Sequence, residues 1–283
     1  DTALLELQEM IQQISQEATG KSIETFKILK TIKQRDKFLK QLDFKTMPLT
    51  DQKAWITALK SFDDHRTLRI RNSSVLTLKD FGKGGLYLGN LRKLDLSGSE
   101  NLEESIFPLL TKEAQGLTHL NLKGLKKVAR VEGKAKKEII FPSLQWLSIS
   151  QCSLLASLRI NTPYLTHLKA KGCLKLVHLS VIAPGLQTLD IRKVALLTDE
   201  ALDQQIPNRP HLKTLKLKGC NKISHHEIRQ EFPFCTLQGA SEKFINEALL
   251  PLLRGALEEL DLEEKDIRVA EAQALGKGLE HNS

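Results

Sequence analysis

Residues 144–173 read "LQWLSISQCSLLASLRINTPYLTHLKAKGC": a leucine frame leads to Cys152, and the same frame, set down again, leads to Cys173. Written Leu-x-x-Leu-x-Leu, it recurs from Leu91, Leu117, Leu144, Leu165, Leu186, Leu212 and Leu257. The first six starts are separated by 26, 27, 21, 21 and 26 residues. Self-similarity at that period is the signature of stacked supersecondary units, which bury a face together that none can bury alone.

Alternate side chains of a strand face opposite sides, so the last two apolar residues of each frame point into a core and their neighbours point out. Stacking then makes a parallel sheet. The expected fold class is α/β: a solenoid with a parallel concave sheet, its convex side helical and partly made of short strands. In the 21-residue units the frame is halved, by Leu155/Leu158/Ile160 and Leu176/Leu179/Val181, so a convex strand is expected there. The longer units are expected to return by helices, with Asn101 and Thr198 or Asp199 as caps. Residues 212–257 leave room for helical pieces near 224–230 and 241–253. "GLKKVARVEGKAKKEIIF" reads as a basic loop or hairpin inside one repeat.

Before Leu76 the period is helical. Leu4, Leu7, Ile11 and Ile14 mark a first helix, stopped by Gly20, and Ile23, Phe26, Leu29 and Ile32 mark a second. After Pro48, Thr50 is expected to cap a third helix carrying Trp55, Ile56, Leu59 and Phe62. Residues 1–65 are thus expected to form an N-terminal helical bundle or cap, and 66–283 a repeat domain truncated at its C-terminal end, where "GLEHNS" leaves the pattern unfinished.

"LKTLKLKGCNKIS" (212–224) and "LLTDEALDQQI" resemble the cysteine-containing leucine-rich repeats of F-box substrate receptors. "LEELDLEEKDIRVAEAQALGKGLEHN" resembles a ribonuclease-inhibitor-type repeat, with Lys265 where that family has Asn. Short repeats of mixed subtype behind a helical cap are also similar to the leucine-rich-repeat effectors of intracellular bacterial pathogens. That resemblance implies a bacterial protein secreted into the host cell cytoplasm, where it binds a host protein; otherwise a cytoplasmic protein is expected.

Cys152, Cys173 and Cys220 each fall three residues beyond the last apolar position of a frame, where Ser99, Leu125 and Val194 stand elsewhere. The resemblance implies that this position, Asn or Cys in the family, turns inward beneath the loop to meet unpaired backbone groups, and the mixed occupancy argues for a structural role. A metal would need several convergent ligands, so no metal, cofactor or catalytic residue is assigned. "TGKS" (19–22) lacks the first glycine of a phosphate loop and reads as a helix stop and start. "FGKGGLYLGN" reads as the turn that admits the chain to the first full repeat. His225 and His226 read as a solvated helix start, and Cys235 lies outside the ladder.

The candidate site is the outward face. One column reads Lys93, His119, Trp146, His167, Thr188, Thr214 and Glu259. With strands about 4.8 Å apart, His119, Trp146 and His167 are expected to form one patch. The next column alternates charge as Lys169, Asp190 and Lys216, an expected cross-strand ladder. A third sets Lys171, Arg192 and Lys218 on consecutive strands, which suggests an anionic partner.

Charge agrees in sign. The net charge is +8, and residues 91–235 hold 22 basic against 13 acidic side chains. A protein partner with an acidic patch is therefore expected, bound by a monomer that needs no small-molecule substrate. Nucleic acid is disfavoured because the basic loop Lys126, Lys127, Arg130, Lys134, Lys136 and Lys137 has no stacking aromatics, though it offers weak contact to anionic lipid. No apolar run is long enough to span a bilayer. Two alternatives stand beside this: substrate recognition for a ubiquitin ligase, with residues 43–62 as docking motif, and catalysis by a domain outside these residues.

Overall fold

In the computed structural model the frames close on strands of three residues whose middle residue is the frame's second leucine. The structure describes residues 44–198 apart from Lys134 and Lys136, residues 211–223 and 236–238, and the single positions Ile23, Gln34 and Ala201. Ile23, Gln34 and Ala201 are helical; the other residues of the helices expected over 2–20 and 22–42, in "LTDEALDQQI" beyond Thr198, and near 224–230 and 241–253 lie outside the described residues. So do "TGKS", the His225–His226 pair, Cys235 and the frame from Leu257. Two compact units divide after Lys127. The class is α/β, dominated by parallel strands.

The first unit contains α1 (Leu49–Leu59), β1 (Thr67–Arg69), β2 (Lys93–Asp95), α2 (Ile106–Glu113) and β3 (His119–Asn121). Its strands pair in parallel, with Leu68, Leu94 and Leu120 in one buried row. Thus the frame begins one unit earlier than Leu76: His65, Leu68 and Ile70 form it, with a buried histidine in place of the first leucine. The glycine-rich "FGKGGLYLGN" accordingly belongs to the return from β1 to β2. It holds a parallel bridge between Phe81 and Leu86, with Gly82 and Gly84 at positive φ.

α1 starts at Leu49 with Pro48 at its N-cap, so Thr50 lies inside the helix, and no side chain caps it. From inside the helix the Thr50 hydroxyl donates instead to Asp51 Oδ1 at 3.2 Å. Trp55, Ile56, Ala58 and Leu59 are buried. On the same helix Gln52 donates to Phe44 O and Met47 O at 3.0 Å each, while its Oε1 accepts from Ser73 Oγ (3.1 Å) and Ser74 N (3.0 Å). One amide thereby ties the helix to the first turn.

The helical return between β2 and β3 forms as expected, burying Ile106, Phe107 and Leu110. Its cap position is Ser105 rather than Asn101, whose amide donates across to Ser74 O.

The second unit contains β4 (Arg130–Val131), β5 (Ile139–Ile140), β6 (Trp146–Ser148), β7 (Ser157–Asn161), β8 (His167–Lys169), β9 (His178–Ile182), β10 (Thr188–Asp190), β11 (Thr214–Lys216) and β12 (Thr236–Gln238). β6, β8, β10, β11 and β12 form one parallel sheet, with Leu147, Leu168, Leu189, Leu215 and Leu237 in register. The halved frames make a second parallel sheet, in which β7 pairs with β9 over all five residues. Leu158, Ile160, Leu179 and Val181 face inward and are buried.

The basic segment is not a hairpin. β4 and β5 both pair in parallel with β7, Val131 opposite Leu158 and Ile139 opposite Ile160. Residues 132–138 therefore stand where β7 has Arg159 alone. The 27-residue unit is a 21-residue unit with six residues inserted into its strand, which is why this longer unit does not return by a helix. The sequence carries the sign of it: "IIFPSL", "INTPYL" and "VIAPGL" begin at 139, 160 and 181, spaced by 21 residues. At the neck of the excursion Gly133 N donates to Lys137 O at 2.7 Å. Glu132 accepts from Ser157 Oγ at 3.0 Å and lies 3.5 Å from Arg159 and 3.7 Å from Arg130.

Candidate functional site

Every described frame leaves its strand through the same turn. Asn72, Gly98, Gly124, Gln151, Gly172, Lys193 and Gly219 hold φ between +57° and +79°, the left-handed region where glycine carries no steric penalty. Five of these N–H groups donate at 2.7 Å to the third-column carbonyl of the following frame: Ser97, Lys123, Lys171, Arg192 and Lys218.

The next residue turns inward, and here the cysteines find their place. Cys173 Sγ donates to Ile149 O (3.1 Å) and Cys220 Sγ to Ile191 O (2.9 Å), as Ser99 Oγ does to Ile70 O (3.0 Å). Burial pushes the Cys173 thiol up to about 12 and that of Cys220 to about 11. Neither is a thiolate at neutral pH, and thiolates are the reactive form.

The strands present the first column as expected. Lys93 stands opposite His119 in the first unit. In the second, Trp146, His167, Thr188 and Thr214 stand in line. Of the expected patch, Trp146 and His167 are neighbours; His119 stands in the other unit.

Each histidine is oriented by the threonine before it. Thr166 Oγ1 donates to Gln145 O at 3.0 Å and lies 2.9 Å from His167 Nδ1; Thr118 does the same to Arg92 O (2.9 Å) and His119 Nδ1 (2.9 Å). A hydroxyl has one proton, and the carbonyl receives it, so the threonine oxygen accepts from Nδ1–H. The neutral imidazoles are therefore Nδ1–H tautomers with Nε2 left as an acceptor.

The second column keeps its alternating order, with Asp190 in register between Lys169 and Lys216. Lys169 Nζ lies 5.5 Å from the centroid of the half-buried Trp146 ring, a cation–π contact. Asp190, 4% exposed, accepts from Arg192 Nε at 2.9 Å and Nη2 at 2.8 Å. Burial opposes its ionisation, but the Arg192 hydrogen bonds and charge, aided by Lys216, hold the carboxyl below its ordinary value. Side chains two apart along an extended segment share a face, so Arg192 also reaches Asp190 from the turn that follows the strand.

The cation row Lys171, Arg192 and Lys218 thus contains one arginine already engaged by a carboxylate. Lys171, Lys216 and Lys218 stand beside it, each half-buried. In the basic segment, Lys126 pairs with Glu100 and Lys127 with the Asn101 side-chain oxygen at 3.1 Å.

Among the described residues, no three His, Cys, Asp or Glu side chains gather where a metal ion could be held, and no helix is long and apolar enough to cross a membrane. The chain matches no protein-family model and no curated protein.

Proposed function

We propose that the chain is a leucine-rich-repeat solenoid that acts without catalysis of its own, holding an acidic segment of a protein partner on the face that carries Trp146. The observation that carries this reading is the composition of that face across β8, β10 and β11. Lys169, Lys171, Lys216 and Lys218 share it with one carboxylate, Asp190, whose charge Arg192 already engages. Trp146 supplies the large apolar contact typical of interface hot spots, and the His167 Nε2 acceptor adds a hydrogen-bond position beside it. Recurrent inward turns, in-register leucines and halved frames support the repeat assignment. The resemblance to pathogen effectors extends the proposal to a host protein as partner.

The ubiquitin-ligase alternative is less well supported, because the apolar side of α1 is already buried in the first unit. The test is capture of partners from host-cell lysate by the wild-type chain, by Trp146→Ala, and by Lys171→Glu combined with Lys218→Glu. Loss of the same acidic protein from both variants, at unchanged melting temperature, is the expected result. Retention by both folded variants would sink the assignment.

A further inference from the structure

His167 is anchored on the Trp146 face through one of its two ring nitrogens. Thr166 Oγ1 gives its proton to Gln145 O at 3.0 Å and lies 2.9 Å from Nδ1, so it accepts from Nδ1–H. Nε2 lies across the ring from this anchor, and in the neutral imidazole it carries a lone pair. An ionised carboxylate has only acceptors to offer, so neutral His167 is mismatched to an acidic partner. Its surroundings are not. Lys169 and Lys216 stand on β8 and β11, Lys171 and Lys218 in the turns that follow, and Asp190 on β10 is engaged by Arg192.

A proton on Nε2 removes the mismatch without turning the ring. Both nitrogens of the imidazolium are donors, so Nδ1–H keeps its bond to Thr166 while Nε2–H takes the direction of the lone pair. The immediate neighbours do not titrate: Trp146 on β6 and Thr188 on β10 stand in register with His167. Gln145 and Gln187, which precede those strands, meet Thr166 through backbone groups and are uncharged. The charged groups stand further along the face. On the strand of His167 itself, Lys169 lies 5.5 Å from the indole centroid, with Lys171 beyond it. On β10 the acid, Asp190, is committed to Arg192, and on β11 Lys216 stands beside Asp190. Histidine is the side chain whose charge ordinarily changes between about pH 5 and 8.

We infer, resting on the acidic partner proposed for this face, that a proton gained at His167 Nε2 strengthens the hold on that partner. The site then binds acids weakly near neutral pH and tightly below it. The gain comes from a charge-assisted hydrogen bond where a lone pair had faced the carboxylate. Linkage is reciprocal, so a bound acid also holds the proton on His167 to higher pH.

The test uses the full chain and a deca-aspartate peptide labelled with tetramethylrhodamine, titrated at constant ionic strength. Aspartate keeps the probe ionised, since its side chain titrates near about 3.9. Affinity should rise about tenfold between about pH 7.5 and 5.5. His167→Gln should abolish most of that rise, whereas His178→Gln, at an exposed position of the second sheet, should leave it intact. In the unmutated chain, peptide should move the midpoint of the His167 ring-proton signal, followed by NMR, to higher pH. Equal affinity at both pH values, a rise that survives His167→Gln, or an unmoved midpoint would each overturn the inference while leaving the acidic-partner reading in place. Failure to bind the peptide at either pH, or binding undiminished by Lys171→Glu with Lys218→Glu, would overturn both.

Discussion

The return from β2 to β3 and the return from β6 to β8 solve one problem in two ways. Both carry the chain back from an inward turn to the start of the next frame. Eight residues of helix advance about 12 Å, and five residues of strand about 16 Å. An extended return therefore covers the distance with fewer residues, and the 21-residue frames use it. The helical return buries a stripe, Ile106, Phe107 and Leu110; the strand return buries alternate residues, Leu158 and Ile160. The leucine frame is indifferent to the choice, which rests on the residues between frames.

The largest expected effect comes from removing the anchor of the helical return. Phe107→Ala should destabilise by about 3–5 kcal/mol in urea unfolding. The strand return should respond less to the comparable Ile160→Ala, by about 2–5 kcal/mol, because a smaller side chain is lost. The reverse order would mean that the second sheet carries the fold.

The inward turns differ in pH response, and the turn after β8 carries Cys173. Cys173 has a folded value of about 12, above its ordinary 9.0. Between those limits the native state keeps the proton and the unfolded state releases it, so stability falls as pH rises. The loss starts near 9 and is complete only above about 12. Cys173→Val should flatten that fall relative to wild type in denaturation series across alkaline pH, at the cost of about 1 kcal/mol near neutrality for the unpaired Ile149 carbonyl.

A smaller effect of opposite sign is expected at Thr162. Its hydroxyl is buried with no hydrogen-bond partner among the described residues, and the matching positions in neighbouring units are Phe141 and Ala183. Thr162→Val keeps the shape and removes the desolvated oxygen, so it should stabilise by about 1 kcal/mol, read as a rise in melting temperature. Smallest of all, replacing residues 132–138 by one arginine should change stability by less than about 1 kcal/mol, since it converts the interrupted strand into an ordinary one. A large loss would show that the excursion helps hold the second sheet.

Much of the fold was legible because period and face are linked. The central leucines and the second strand of the halved frames follow from spacing, and the inward place of Cys173 and Cys220 from the resemblance to cysteine-containing repeats. The first strand was missed because His65 occupies a leucine position and the turn after it uses Asn72 rather than glycine. The true nature of the basic segment was obscured by its own insertion, although the 21-residue recurrence of proline after two strand residues and one further residue marks where the strand resumes.

The site was legible in outline. Parity along a strand put Trp146, His167, Lys171 and Lys218 on the outward side, and parity is a local property. The choice of partner is not local. Lys169, Asp190, Arg192 and Lys216 lie within reach of several neighbours, and small differences in burial and reach decide among them. By itself the sequence determined the frame, the faces and the ladder beneath the turns. Only the tertiary structure decided that Asp190 belongs to Arg192, that Lys169 lies over Trp146, and that the excursion leaves one strand and returns to it, because each depends on competition among side chains brought together by the stacking of frames.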